Sequence, residues 1–100
     1  MAAKTKTFCL ILHNLRGAHN VGAIFRLADA IGAEKIFLTG YTPRPVDHYG
    51  RANKKVAKTA LGAELMVAWS AHSRLGPVLA TLRRDHYQLV ALEQSSRSVD

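Results

Sequence analysis

With a single cysteine, Cys9, the chain cannot close an internal disulfide, so a reduced, cytoplasmic setting is expected and Cys9 reads as part of the apolar run around it. Long hydrophobic stretches are missing too. No run approaches the ~20 apolar residues of a membrane span, and the opening "MAAKTKTFCLILHNL" lacks the small-residue cleavage site of a secretory signal. The histidines His13, His19, His48, His72 and His86 stand without the i,i+4 or CxxC context of a metal site. Ser95, Ser96 and Ser98 have no acid–base pair beside them. Metal and serine-hydrolase chemistry therefore have no support in the residues. The segment "GAHNVG" lacks both the GxGxxG spacing of a dinucleotide turn and the Lys-Ser/Thr of a P-loop. Acidic residues are also scarce. Seven Asp and Glu against fourteen Lys and Arg leave a net charge of +7, the balance of a protein that attracts polyanions such as nucleic acid by releasing their counterions.

What is present is the patterning of one small soluble domain. At 100 residues a chain buries roughly two thirds of its unfolded surface, enough for one modest core. "TFCLILH" (Thr7 to His13) is a buried strand and "NLRGAHN" the turn cluster after it. A helix is expected from Asn20, with Val21, Ile24, Phe25, Ala28 and Ile31 on one core-facing stripe and Gly32 at its end. "EKIFLTG" is a second strand, and "YTPRPVDHYGRAN" is a surface loop. "KKVAKTALGAE" forms a short helix with Val56, Ala57, Ala60 and Leu61 inward and Lys54, Lys55 and Lys58 outward. A strand "LMVAW" follows, with Trp69 a core residue at its end. Next come a helix over "SRLGPVLATLRRD", in which Pro77 must lie in the first turn, and a fourth strand "YQLVALE". Apolar strands alternating with helices predict an α/β fold, a parallel sheet with helices on both faces.

In such sheets ligands collect beyond the carboxyl ends of the strands. The loops expected there carry Arg16, Arg44 and Arg51, interleaved with His19, His48, Tyr41 and Tyr49, and Lys54, Lys55 and Lys58 follow closely. Together these form a candidate nucleic-acid-binding surface. Asn20 reads as the cap of the first helix, leaving a terminus that can receive a phosphate. Arg26 points away from the apolar stripe one turn after Gly22, whose missing side chain leaves room against the guanidinium. Spacing alone favours a solvated charge paired with Asp29 over a functional Arg26.

The stretch "NLRGAHNVGAIFRLADAIGA", with Asn20, Gly22, Arg26 and Gly32 in place, resembles the first motif of the SpoU (TrmH-like) RNA 2'-O-ribose methyltransferases of the SPOUT superfamily. "KVAKTALGAE" resembles a second family stretch, and the similarity runs from Thr7 to Glu93. The resemblance implies a SPOUT-like, Rossmann-like half, a homodimer, S-adenosylmethionine as methyl donor, and tRNA or rRNA as acceptor, which makes the basic surface an RNA-binding one. It assigns Arg26 to the ribose 2'-hydroxyl, as base or as electrostatic clamp, and Asn20 to orienting it. The family's Gly-Asn-Glu and Ser-Leu-Asn segments, which form the C-terminal trefoil knot and hold the donor, do not occur in this sequence. The expectation is therefore a single partial catalytic domain over residues 1–100 with its donor-binding residues unknown. The alternative is an RNA-binding or dimerisation module without catalysis.

Overall fold

The computed structural model describes residues 8–85 and 87–93. His86, Ser95, Ser96, Ser98 and the polar tail after Glu93 lie outside them. Four strands, β1 (Phe8–His13), β2 (Lys35–Thr39), β3 (Ala68–His72) and β4 (Gln88–Glu93), alternate with helices α1 (Ala18–Ile31), α2 (Lys54–Ala60) and α3 (Leu75–Arg84). All strand pairings are parallel, in the order β3-β2-β1-β4. The chain steps outward from β1 through β2 to β3 and then returns to the other side of β1. That reversal puts the topological switch point between β1 and β4, where sheets of this kind bind ligands.

The expected layering holds. β1 is buried along Cys9, Leu10, Ile11 and Leu12, the signature of a strand covered on both faces. Leu10, Leu12, Ile36 and Leu38 face one core with Val21, Phe25 and Ala28 of α1 and Val56 and Ala60 of α2. Cys9 and Ile11 face a second, smaller core with Val78 and Leu82 of α3. Burial, helped by the charge of Glu34, raises the Cys9 thiol above its ordinary pKa, so it stays protonated and packs as an apolar group. Pro77 occupies the third position of α3, within the first turn. Trp69 is half-buried against the larger core.

Several sequence expectations are corrected. α1 begins at Ala18 with Gly17 as its N-cap and no capping side chain, so Asn20 is an exposed residue inside the helix. The asparagine that does cap a helix is Asn53, whose side chain accepts the backbone N–H groups of Lys55 and Val56 at the start of α2. Ile31 is 50% exposed, because at 100° per residue it has drifted roughly a quarter turn off the stripe through Val21, Phe25 and Ala28. Leu61 is not in α2; it adopts a left-handed φ of 52° as the C-cap and is 65% exposed. The third strand starts three residues later than "LMVAW" suggests. A 3₁₀ turn over Ala63–Leu65 comes first, Leu65 and Met66 are exposed, and pairing with β2 begins only at Ala68.

Candidate functional site

Two surfaces carry the chemistry-bearing residues, and each is made by a different kind of contact. The first is the meeting of the loops that leave the carboxyl ends of β1 and β2. His13 Nδ1 lies 2.9 Å from Thr39 Oγ1 across the two strand ends. Asn14 turns the chain with a left-handed φ of 56°, a conformation asparagine tolerates better than most residues. Its carboxamide oxygen accepts the Tyr41 backbone N–H at 3.2 Å. Gly40, at φ 67°, faces that carboxamide so closely that a Cβ would collide with it. Buried Thr42 completes the junction by accepting the Leu15 N–H while its hydroxyl lies within donating distance of the carbonyls of Leu12 and Thr39. The two loops are thereby stitched into one surface. Arg16 leans on Tyr41, with Nε 3.5 Å from the phenol oxygen and the guanidinium 5.9 Å from the ring centre.

Further along the second loop, Asp47 organises a tight turn. The Gly50 N–H closes the turn onto the Asp47 carbonyl at 3.0 Å, and Gly50 takes the positive φ of 81° that the geometry requires. The Asp47 carboxylate accepts the backbone N–H groups of Tyr49 and Arg51 and the Arg51 Nε–H at 3.2 Å. The Arg51 backbone bond is the largest cause holding this carboxyl below its ordinary pKa; the Tyr49 N–H and the Arg51 guanidinium act in the same direction. His48 and Tyr49, the two central residues of the turn, face outward with ring centres 4.2 Å apart. Arg51 lies over the Tyr49 ring at 5.0 Å. Beside them Arg44, Asp47, His48, Arg51 and Asn53 help to line a cavity of about 390 Å³.

The second surface is a cleft between α1 and α2. Gly22 is buried where the helices cross, and a Cβ there would run into the Val56 carbonyl and the Thr59 hydroxyl. The room left by Gly22 is thus filled by the backbone of α2, not kept open for the Arg26 side chain. Thr59 Oγ1 donates to the His19 carbonyl at 2.6 Å, tying α2 to the first turn of α1. Arg26 stands four residues after Gly22 and so on the same side of α1. The crossing consequently brings Lys58 to it. Arg26 and Lys58 share a cleft of about 560 Å³ with Ala23, Leu27, Thr59 and Leu61 among its walls. No acidic residue lines that cleft among the described residues, and Arg26 makes no ion pair with Asp29 there.

All nine residues singled out in the sequence are exposed: Arg16, His19, Asn20, Arg26, Arg44, Arg51, Lys54, Lys55 and Lys58. The structure unites Arg26 with Lys58, and Arg44 with Arg51. It does not unite Asn20 with Arg26, because residues six apart leave a helix about 120° from one another. Lys54 and Lys55 open α2 with no acidic residue in its first turn, a placement the helix dipole disfavours. Asn14, Thr39, Thr42 and Asp47 were not singled out. Only Asp47 has a local signal, an aspartate three residues before a glycine, the pattern of a β-turn.

The comparisons with known proteins bear on the whole chain. The family model described as the SpoU rRNA Methylase family matches residues 7–100. No curated protein matches. Among solved structures, the chain is similar to a crystal structure of an RNA 2'-O ribose methyltransferase, with a TM-score of 0.69 and 18% identity. The match covers all of this chain and 44% of that one, so the chain spans less than half of its structural relative. At that identity the likeness concerns the fold.

Proposed function

Because the chain belongs to the SpoU rRNA methylase family, we propose that it carries the RNA-facing part of an enzyme that transfers a methyl group from S-adenosylmethionine to a ribose 2'-hydroxyl of tRNA or rRNA. The observation that carries this reading is the Arg26–Lys58 cleft, in which two cations from different helices meet with no acidic residue among the described lining. A ribose hydroxyl is a poor nucleophile until its proton leaves. Two positive charges favour the anionic form of a hydroxyl placed near them and attract the neighbouring phosphate. An arginine stays protonated at any physiological pH, so Arg26 acts here as an electrostatic clamp. Asn20, on another side of α1, acts on the approaching RNA and not on the guanidinium. Arg16, His19, Arg44, Arg51, Lys54 and Lys55 supply the wider phosphate-binding surface.

The described residues do not fit the methyl donor. Its sulfonium is a cation, the cleft is cationic, and the carboxylate of the loop cavity is already engaged by Arg51. This misfit favours a second reading, a non-catalytic RNA-binding module, and titration with S-adenosylmethionine separates the two. Specific donor binding supports the enzyme and overturns the module.

For the enzyme, Arg26→Ala in a chain extended through the Gly-Asn-Glu and Ser-Leu-Asn segments is expected to abolish transfer of a labelled methyl group to RNA while the circular dichroism spectrum is unchanged. Retained turnover would return Arg26 to the status of a solvated charge. We also propose a cytoplasmic homodimer. Leu27 and Leu61, 54% and 65% exposed beside the cleft, supply an apolar surface for a second copy. Sedimentation as a monomer at micromolar concentration would remove that part.

A further inference from the structure

We propose that Tyr49, with Arg51 and His48, forms a stacking platform for an unpaired base of the bound RNA, next to a phosphate held by Arg44. The inference rests on the RNA-binding reading above and specifies how one surface of it works. Tyr49 is 72% exposed, which no packing role explains. It is nevertheless held firmly. Its backbone N–H is bonded to the Asp47 carboxylate at 2.8 Å, the turn is closed at Gly50, and its ring is flanked by the Arg51 guanidinium at 5.0 Å and the His48 ring at 4.2 Å.

Each of these contacts suits a base. An aromatic ring fixed in orientation loses little freedom when a second flat surface stacks on it, and an arginine beside the ring adds a planar cation that stacks as well. Asp47 engages Arg51 through Nε, which leaves the guanidinium's terminal nitrogens to a phosphate or a base edge. The adjoining cavity of about 390 Å³ is within the ~300–1,000 Å³ range of small-molecule sites. Its wall includes Arg44 and Arg51 as cations and Asp47 as the lone acid among the described lining.

A paired base is already stacked within its helix and cannot reach a protruding ring, so the platform selects single-stranded RNA. A second tyrosine, Tyr41, is exposed at the same sheet edge with Arg16 against it. The arginine–tyrosine pairing thus recurs along the path the strand would follow.

The test uses the 100-residue chain and two twelve-nucleotide probes of equal charge, oligoadenylate RNA and the same backbone without bases. Wild type is expected to bind the base-bearing strand ~10-fold more tightly than the abasic one, the scale of one stacked base. Tyr49→Ala should abolish that difference without altering abasic binding or its salt dependence, and Tyr49→Phe should restore it. Equal, salt-dependent binding of both probes by wild type would overturn the platform and leave the RNA reading standing. A Tyr49→Ala protein that still prefers the base-bearing strand would overturn it as well. Failure of wild type to bind either probe would overturn the RNA reading and the platform with it.

Discussion

The cleft between α1 and α2 and the loop surface at the sheet edge are both basic, yet they are built in opposite ways. The cleft is a by-product of packing. Two helices cross at a buried glycine, and residues beside the crossing, Arg26 one turn along α1 and Lys58 within the contacting stretch of α2, come to line one cleft. The loop surface is a polar construction in which Asn14, Thr42 and Asp47 satisfy backbone groups that no helix or strand would satisfy. The difference shows in the charges. Asp47 sits in the middle of the loop surface and answers Arg51, whereas the described walls of the cleft contain no acid. An uncompensated pair of cations suits a reacting or phosphate-bearing group, and a compensated, hydrogen-bonded turn suits the rigid display of flat side chains.

Three experiments test this contrast. The largest effect is expected from Gly22→Ala, whose methyl group meets the Val56 carbonyl, a backbone atom that cannot swing aside. It should lower the stability measured by urea denaturation by about 3 kcal/mol, the upper part of the range for overpacking. An unchanged midpoint would mean that the helix crossing does not depend on that close approach.

A middle effect distinguishes the two asparagines. Asn53→Ala removes a cap with two backbone partners and should cost about 1 kcal/mol, loosening the start of α2 beneath Lys54 and Lys55. Asn20→Ala, at an exposed position inside α1, should stay within about 0.5 kcal/mol of wild type. Equal losses in the same denaturation experiment would restore Asn20 as a cap.

The smallest effect is on the loop surface alone and appears with pH. A carboxyl held below its ordinary value contributes fully above the unfolded carboxylate range, near ~3.9, and that contribution is lost as the pH falls through the lower folded value. Asp47 is such a group. In NMR spectra the amide signals of Tyr49 and Arg51 should therefore shift as the solution is acidified below that range, while those of Gly22 and Thr59 hold still. Movement of all four together would show that the two surfaces are one unit.

Much of the fold was legible because burial leaves a periodic trace. The run "FCLIL" reads as a strand covered on both sides, and the spacing of Val21, Phe25 and Ala28 puts them on one core-facing stripe. The errors cluster where periodicity carries no information. Gly17, with no side chain to signal it, serves as N-cap of α1 in place of Asn20. Leu61 and Met66 are apolar residues left outside because the chain turns there, at a left-handed residue and a 3₁₀ step. Of the candidate site, the exposure of each basic residue was readable from its position opposite an apolar stripe or within a turn cluster. The residues that hold those side chains in place were not. Asn14 and Thr42 act across 27 residues of sequence, and nothing local marks a residue whose partner is that far away.

The parallel α/β architecture, the positive surface and the family are all written in residue types and short-range spacing. Only the tertiary structure decided that Lys58, and not Asn20, keeps company with Arg26. It also decided that Asp47 restrains Arg51 while no described acid enters the other cleft. The physical reason is that spacing along one helix fixes which side a residue faces. Which element comes to that side depends on a close approach at Gly22 that exists only once the two helices have packed.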